Sequence, residues 1–162
     1  MTRETIQAAI ERWVAGHRWI ARRDRERGYF TIGINLNGTM ARVRLVIDPQ
    51  LDGCLFYVIP DLACPSERRL EASRYLTLAN CGLINGNFEM DMGRGEIRYK
   101  CYVSCVGMER LPVELIESTA RCACSTFKRY ADGLSRVIQR NEDANAVMSE
   151  IEPRQSVLRG NS

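Results

Sequence analysis

Apolar residues recur every three or four positions in three segments of the chain, which is the spacing of one helix face. The first predicts a helix that ends at Gly16, and the second a helix from about Ser66 to Cys81 with Pro65 at or near its first position. The third begins near Pro112, runs to about residue 140 and is followed by a short helix. The apolar positions are Ile6, Ile10, Trp13 and Val14; then Ala72, Tyr75, Leu76, Ala79 and Leu83; then Ile116, Ala120, Ala123, Phe127, Tyr130, Leu134 and Val137.

The clearest strand pattern surrounds Asn37 and Gly38, in the segment YFTIGINLNGTMARVRLVID. Asn-Gly favours positive φ at both central positions of a turn, which a two-residue type I′ hairpin requires. With that turn, apolar residues meet on one face of the hairpin and polar residues on the other. The predicted pairs are Ile34 with Ala41, Ile32 with Val43 and Phe30 with Leu45 on the apolar face, and Gly33 with Arg42 and Thr31 with Arg44 on the polar face.

A second hairpin is predicted in NFEMDMGRGEIRYKCYV, where apolar and polar residues alternate on both sides of a glycine-containing loop. Two registers place apolar residues opposite one another. A two-residue loop puts Asp91 opposite Glu96, which opposes two like charges. A four-residue loop instead pairs Asp91 with Arg98 and Glu89 with Lys100. Because opposite-charge pairs contribute roughly 0.2–1 kcal/mol each, the four-residue loop is predicted, and its polar face is a surface of paired charges.

The order of elements predicts the fold class. The segment CLFYVIP, residues 54–60, is apolar throughout and indicates a strand covered on both faces. Trp19 and Ile20 open a short strand or extend the first helix, and the pattern leaves both open. Because both hairpins have one polar face, we expect an α+β fold with an antiparallel sheet of about five strands and helices on its other face. A single domain over residues 1–152 and a flexible tail over 153–162 complete this prediction.

The bulk composition is that of an ordinary globular protein, with 162 residues, 45% of them hydrophobic and 27% charged. No apolar run is long enough to cross a bilayer. Glu4 and Glu11 lie in an N-terminal segment without a signal-peptide core, so we expect a cytoplasmic protein. The net charge of +3 does not by itself indicate a nucleic-acid binder. All but two of the 23 basic residues are arginine, which can grip carboxylates and phosphates with two hydrogen bonds.

Few groups in the sequence suit catalysis. His17 is the only histidine, and its arginine-rich surroundings oppose protonation, so we expect an exposed residue at a helix end rather than a general base. The spacing of Cys101 and Cys105 could fit a zinc site, but such pairs are usually on turns and we expect a strand there. Cys122 and Cys124 are two positions apart in a predicted helix and would point to different sides. We therefore expect mostly buried, reduced thiols, and no catalytic residue, cofactor or metal.

Two segments, RRLEASRYLTLANCGLINGNFEMDMGRGEIRYKCYV and LPVELIESTARCACSTFKRYADGLSRVI, resemble the YbjN-like bacterial proteins, which are described as sensory-transduction regulators. The resemblance covers about residues 66–151 and implies the fold of type III secretion chaperones, with the order α-β-β-β-α-β-β-α. Chaperones of that fold are homodimers that hold an unfolded stretch of a client protein. They are typically acidic, whereas this chain has a pI near 8.5. The matching positions are Asn80, Gly86, Phe88, Glu89 and Tyr99.

The expected function is non-enzymatic protein binding by a homodimer, in a chaperone-like or regulatory role. An extended segment of a client protein would be captured along an exposed strand edge or in an apolar groove beside the helices. The expected partner or dimer interface is an apolar strand, because a strand that is apolar on both faces needs two covers. Its residues are Leu55, Phe56, Tyr57 and Val58.

The alternative function is an arginine-based regulator that binds nucleic acid or a phosphate ligand. Trp19 and Tyr29 would be available to stack on bases. Interleaved acids, among them Asp24 and Glu89, would repel a polyanion, so a nucleic-acid partner is disfavoured, and no membrane partner is expected. The candidate anion-binding residues are Arg22, Arg23, Arg42 and Arg44.

Overall fold

The computed structural model describes residues 1–17, 20–38, 40 and 42–152. Ala41, Trp19 and the tail from residue 153, on which parts of the predictions fall, lie outside them. The helices are α1 (Arg3–Gly16), α2 (Arg69–Asn80), α3 (Val113–Gln139) and α4 (Ala144–Ile151), with a 3₁₀ turn at Ser66–Arg68. The strands are β1 (Ala21–Arg23), β2 (Phe30–Asn35), β3 (Arg42–Gln50), β4 (Gly53–Pro60), β5 (Asn87–Met90) and β6 (Ile97–Ser104).

The strands form one antiparallel sheet in the order β1-β2-β3-β4-β6-β5. The chain leaves β4, forms α2, and returns to the far edge as β5 before β6 fills the space between them. This arrangement confirms the predicted α+β class. In the described residues the sheet has six strands, where about five were expected. The extra strand, β1, could not be recognised in the sequence because it has only three residues and no alternating pattern.

The helices pack on one face of the sheet and enclose the core. The α3 helix crosses β4 and β6, α1 lies against β3 and β4, and α2 packs beside β5 and against α3 and α4. None of the helices in the described residues has both the length and the apolar composition to span a membrane. The predicted apolar faces are confirmed, and the largest fully buried side chains include Trp13, Tyr75, Tyr99, Tyr130, Phe56 and Phe127.

The β2–β3 hairpin pairs two residues further along β3 than predicted. Ile32 lies opposite Leu45 rather than Val43. Asn37 and Gly38 do have the expected positive φ values, 55° and 123°, but the strands end before the turn and the connection is longer than two residues. A shift of two residues keeps every side chain on its predicted face, so alternation alone does not choose between the two registers.

The β5–β6 hairpin has the register that the charge argument rejected, so the predicted four-residue loop is wrong. Glu89 lies opposite Arg98, while Asp91 has left the strand and caps the turn. Its carboxylate accepts the backbone N–H groups of Gly93 and Arg94 at 2.8 and 3.0 Å. The Arg94 guanidinium and these N–H groups hold the pKa of Asp91 below its usual range. The expected repulsion between Asp91 and Glu96 is avoided because the Asp91 carboxylate is hydrogen-bonded to backbone N–H groups of the turn.

Candidate functional site: the open face of the sheet

The sheet face opposite the helices carries a strip of apolar side chains. Buried and less buried residues alternate along β3 and β4, because successive side chains of a strand point to opposite faces. On β4 both sets are apolar, so the helix-free face also receives hydrophobic residues. We call this face the open face. Its apolar strip consists of Val46, Leu55, Tyr57 and Ile59, all of them half-buried.

The structure separates the four predicted interface residues onto the two faces. Phe56 and Val58 are 1% and 0% exposed and belong to the core under the helices. They are therefore not available as a surface of the chain. Leu55 and Tyr57 point the other way and lie on the open face. The two-sided cover predicted for this strand is present on one side only in the described residues.

Charged side chains border the apolar strip on β5 and β6. Glu89 accepts a hydrogen bond from Arg98 at 2.9 Å and from Lys100 at 3.2 Å. The Arg98 guanidinium also lies 5.3 Å from the centre of the Tyr57 ring, a cation–π arrangement. Partial burial raises the pKa of the Tyr57 phenol. Glu89 thus forms ion pairs with both Arg98 and Lys100. The predicted register had paired Arg98 with Asp91 instead.

At the opposite border the open face meets a groove rich in arginine. The groove has a volume of about 540 Å³. Of the four predicted anion-binding residues the fold brings Arg22, Arg23 and Arg44 together here, but Arg42 does not line it. Sequence reasoning omitted Arg25 from this set and considered Tyr29 only as a stacking residue. The lining residues of this arginine groove are Arg22, Arg23, Asp24, Arg25, Glu26, Tyr29, Thr31 and Arg44.

The charges of the arginine groove are only partly neutralised by other described residues. Arg23 is engaged by Glu11 at 2.6 Å and by the Gln7 amide at 3.1 Å. The Asp24 carboxylate accepts the backbone N–H groups of Glu26 and Arg27 at 3.0 and 2.8 Å. Hydrogen bonding, chiefly from the Arg27 N–H, lowers the pKa of Asp24. The Asp24 carboxylate is therefore held by the backbone of its own turn. Part of the cationic surface of the groove remains available to a group from outside.

Two of the groove arginines have no acidic partner among the described residues. Arg22 and Arg25 are exposed and take part in none of the ion pairs found there. Arg44 approaches Asp61 at 3.6 Å, with both side chains about half exposed, so this contact is weak. An anionic group entering the groove would find Arg22 and Arg25 unpaired.

His17 lies at a contact between two helices. It caps the C-terminal end of α1, exposed as predicted, and its Nε2 lies 2.8 Å from Glu117 on α3. Glu117 also accepts the indole N–H of Trp13 at 2.8 Å. Hydrogen bonds from Trp13 and Arg121 lower the pKa of Glu117. The group therefore links α1 to α3.

The cysteines are mostly in the core, with two exceptions on the surface. Cys81 and Cys122 are exposed and Cys124 is half-buried. Burial raises the pKa of Cys101 to about 12 and of Cys124 to about 11, which keeps these thiols protonated and unreactive. Among the residues that the structure describes, no three His, Cys, Asp or Glu side chains form a possible metal site. The buried set is Cys54, Cys64, Cys101 and Cys105.

Comparison with known proteins bears on the fold. The sequence matches no protein-family model and has no significant match among curated proteins. The structure is similar to the crystal structure of YbjN, a proposed transcription regulator from E. coli. The similarity has a TM-score of 0.58 at 14% sequence identity, and covers 74% of this chain and 84% of that one. The fold is YbjN-like. This confirms the predicted resemblance at the level of the fold.

Proposed function

We propose that the chain is a non-enzymatic protein-binding domain and that its open face receives an extended segment of a partner protein. The observation that carries this proposal is the apolar strip. Four neighbouring apolar side chains remain half-buried on a sheet whose other face is already covered by helices. A contiguous apolar patch rimmed by polar residues is typical of an interaction site. The YbjN-like fold supports a regulatory role of the kind proposed for YbjN.

The proposal places the partner on the face of the sheet rather than along its β5 edge. The outward backbone groups of Phe88, in the middle of β5, are already bonded by the side chain of Asn80. A strand added at that edge would have to displace them. The open face needs no such displacement, because its apolar strip faces outward in the chain as it stands.

A homodimer in the cytoplasm, without a cofactor, is part of the same proposal. Exposed apolar side chains at one end of the sheet support it, since they lie outside the apolar strip and leave that strip for the partner. These side chains are Leu51 and Val106, which are 76% and 72% exposed. Light scattering should give twice the mass of one chain, and Val106→Asp should reduce it towards that of one chain. A monomer at all concentrations would contradict the dimer and leave partner binding untouched.

The test of partner binding is an affinity purification from the native host with three baits. The wild-type chain should recover a discrete protein that survives nuclease treatment. Tyr57→Asp, on the open face, should lose it. The control, Ile84→Asp, introduces the same charge at a fully exposed apolar residue in the loop between α2 and β5. This bait should retain the partner protein. Recovery that is equal with all three baits would reject the open face as the binding surface.

A further inference from the structure

The arginine groove continues directly into the apolar strip. Arg22 lies opposite Thr31, Thr31 opposite Val46, and Val46 opposite Tyr57. These residues therefore form one row across four strands of the open face. Neighbouring strands lie about 4.8 Å apart, so Arg22 and Tyr57 are separated by roughly 14 Å. An extended chain advances about 3.3 Å per residue, so about four residues of a bound segment would span this row.

The two ends of the row differ in chemistry. The Tyr57 end offers apolar surface from Val46, Leu55 and Ile59. The Arg22 end offers guanidinium groups, of which those of Arg22 and Arg25 have no acidic partner in the described residues. Guanidinium groups pair with carboxylates through two parallel hydrogen bonds. The row is thus complementary to a segment that is apolar at one end and acidic at the other.

We propose that the arginine groove binds aspartate or glutamate side chains of the partner segment. This inference rests on the proposed function and specifies its partner. The partner segment is extended, places apolar residues on Val46 and Tyr57, and carries one or more acidic residues about four positions away. Arg22 and Arg25 bind those acids, and Arg44 lies beside them in the groove.

A carboxylate-bearing peptide fits this surface better than a nucleic acid does. The open face also carries Asp48 and Glu89, and Asp24 and Glu26 line the groove itself. A polyanion that followed the face would meet these acids repeatedly. A short segment with its acids at one end is charged only at the groove, where four arginines outnumber Asp24 and Glu26. The apolar strip likewise offers a peptide side chain a contact that a phosphate backbone cannot use.

The test is a selection of random twelve-residue peptides displayed on phage, with the full chain as bait. The strongest peptide is then synthesised with a fluorophore, and its affinity is measured by anisotropy. The groove variant is Arg22→Glu with Arg25→Glu. The matched control is Arg74→Glu with Arg110→Glu, which changes the net charge equally at two exposed arginines without ion pairs in the described residues. Arg22→Gln with Arg25→Gln replaces the groove variant if circular dichroism shows that the latter is not folded.

We expect the selected peptides to carry Asp or Glu beside an apolar pair. Their affinity should fall about tenfold or more in the groove variant, as expected for the loss of two ion pairs and their replacement by like charges. The matched control should bind as the wild type does. Raising the salt from about 50 to 200 mM should weaken binding only a few-fold, whereas 6–10 phosphate contacts would lose roughly 10³–10⁵.

Three results would overturn the inference, and they differ in what they leave standing. Peptides that need Tyr57 but show no acidic preference would reject the acidic partner and keep the proposed function. A single-stranded oligonucleotide that displaces the peptide and needs Arg22 and Arg25 would assign the groove to phosphates instead. No peptide that depends on either Tyr57 or Arg22 would reject both the inference and the proposed function.

Discussion

The side-chain amide of Asn80 bonds both backbone groups of Phe88. Its oxygen accepts the Phe88 N–H at 2.7 Å, and its nitrogen donates to the Phe88 carbonyl at 3.0 Å. Asn80 is the last residue of α2 and Phe88 lies within β5. The amide thus occupies the place of a neighbouring strand, and it joins the end of a helix to the edge of the sheet. This contact gives a structural reason for two of the positions by which the sequence resembles the YbjN-like proteins.

Replacement of Asn80 by alanine should destabilise the protein. The N–H of Phe88, a residue that is 3% exposed, would lose its acceptor, and an unsatisfied buried group costs about 1–3 kcal/mol. Asn80→Asp keeps an acceptor for that N–H and loses the donor, so it should fall between alanine and the wild type. Urea denaturation measures both. Asn145→Ala, at an exposed residue of α4, is the control, and equal losses at both sites would contradict this role.

Gly95 and Gly107 provide a matched pair for the hairpin turn. Both have positive φ, 74° and 77°, and alanine costs about 1–2 kcal/mol in that conformation. At Gly107 an added Cβ meets nothing within 4 Å, whereas at Gly95 it would press on the backbone carbonyl of Cys64. Gly95→Ala should therefore lower the free energy of unfolding by about 1–3 kcal/mol more than Gly107→Ala does. Equal losses of stability in the two variants would show that the Cys64 backbone shifts to accommodate the added Cβ at little cost.

Substitution of Phe56 should mainly reduce stability, whereas substitution of Tyr57 should mainly reduce partner binding. Phe56 is buried in the core, so Phe56→Ala should cost about 3–5 kcal/mol. Phe56→Asp should unfold the chain, so it would not report on a dimer interface. Tyr57→Ala should cost about 1 kcal/mol or less, mainly its contact with Arg98, and should abolish partner binding. Urea denaturation and partner binding should be measured for each variant. If Tyr57→Ala unfolds the chain, the assignment of Tyr57 to the open face is wrong.

Stability should decrease in alkaline solution. Burial raises the pKa of Cys101 to about 12 from a usual 9.0, and that of Tyr99 and Tyr130 to about 12 from 10.0. The neutral forms are favoured in the folded state, so their contribution is complete below the unfolded pKa values and is lost as the pH rises through the folded ones. The free energy of unfolding should fall between about pH 9 and 12.

Urea denaturation across that range, with reductant present, measures the effect. In Cys101→Ala the free energy of unfolding should decrease less steeply above about pH 9, near the usual pKa of a thiol. Cys81→Ala removes an exposed thiol that does not act on Cys101, Tyr99 or Tyr130, and it should leave the profile unchanged. An unchanged profile for Cys101→Ala would show that burial of this thiol does not couple to unfolding.

The helices could be predicted closely from the sequence because their apolar residues have a single consistent period. The stripe from Ile116 to Val137 predicted a helix from about Pro112 to residue 140, and α3 covers Val113–Gln139. Gly133 does not break it. This glycine is buried, and an added Cβ would press against side chains of α2 and α4. It serves close packing of helices, which a periodicity along one segment cannot show.

The hairpin registers were harder to predict because a period of two has no unique phase along the partner strand. In the first hairpin a shift of two residues preserved every face. In the second, pairwise charge arguments gave the wrong register because they assumed that Asp91 stays in the strand. The deciding interactions were local hydrogen bonds of its carboxylate to the turn, which compete with cross-strand pairing.

The candidate site was predicted only in part for a similar reason. The arginines were conspicuous in the sequence, and three of the four do meet in the groove. Val46 and Ile59 gave no signal, because their exposure depends on which strands become neighbours and on which face the helices cover. Phe56 and Val58 looked equivalent to Leu55 and Tyr57 until the sheet had two distinct sides.

Strand β1 closes the arginine groove, and it is joined to the sheet by only three residue pairs. Such a short edge strand can detach without the rest of the molecule, at a free-energy cost well below that of complete unfolding. Its amide protons should therefore exchange with deuterium much faster than those of β4, which has neighbours on both sides. A bound acidic segment would hold β1 in place, so slower exchange in this strand would be an early sign of occupancy, visible before the melting temperature changes.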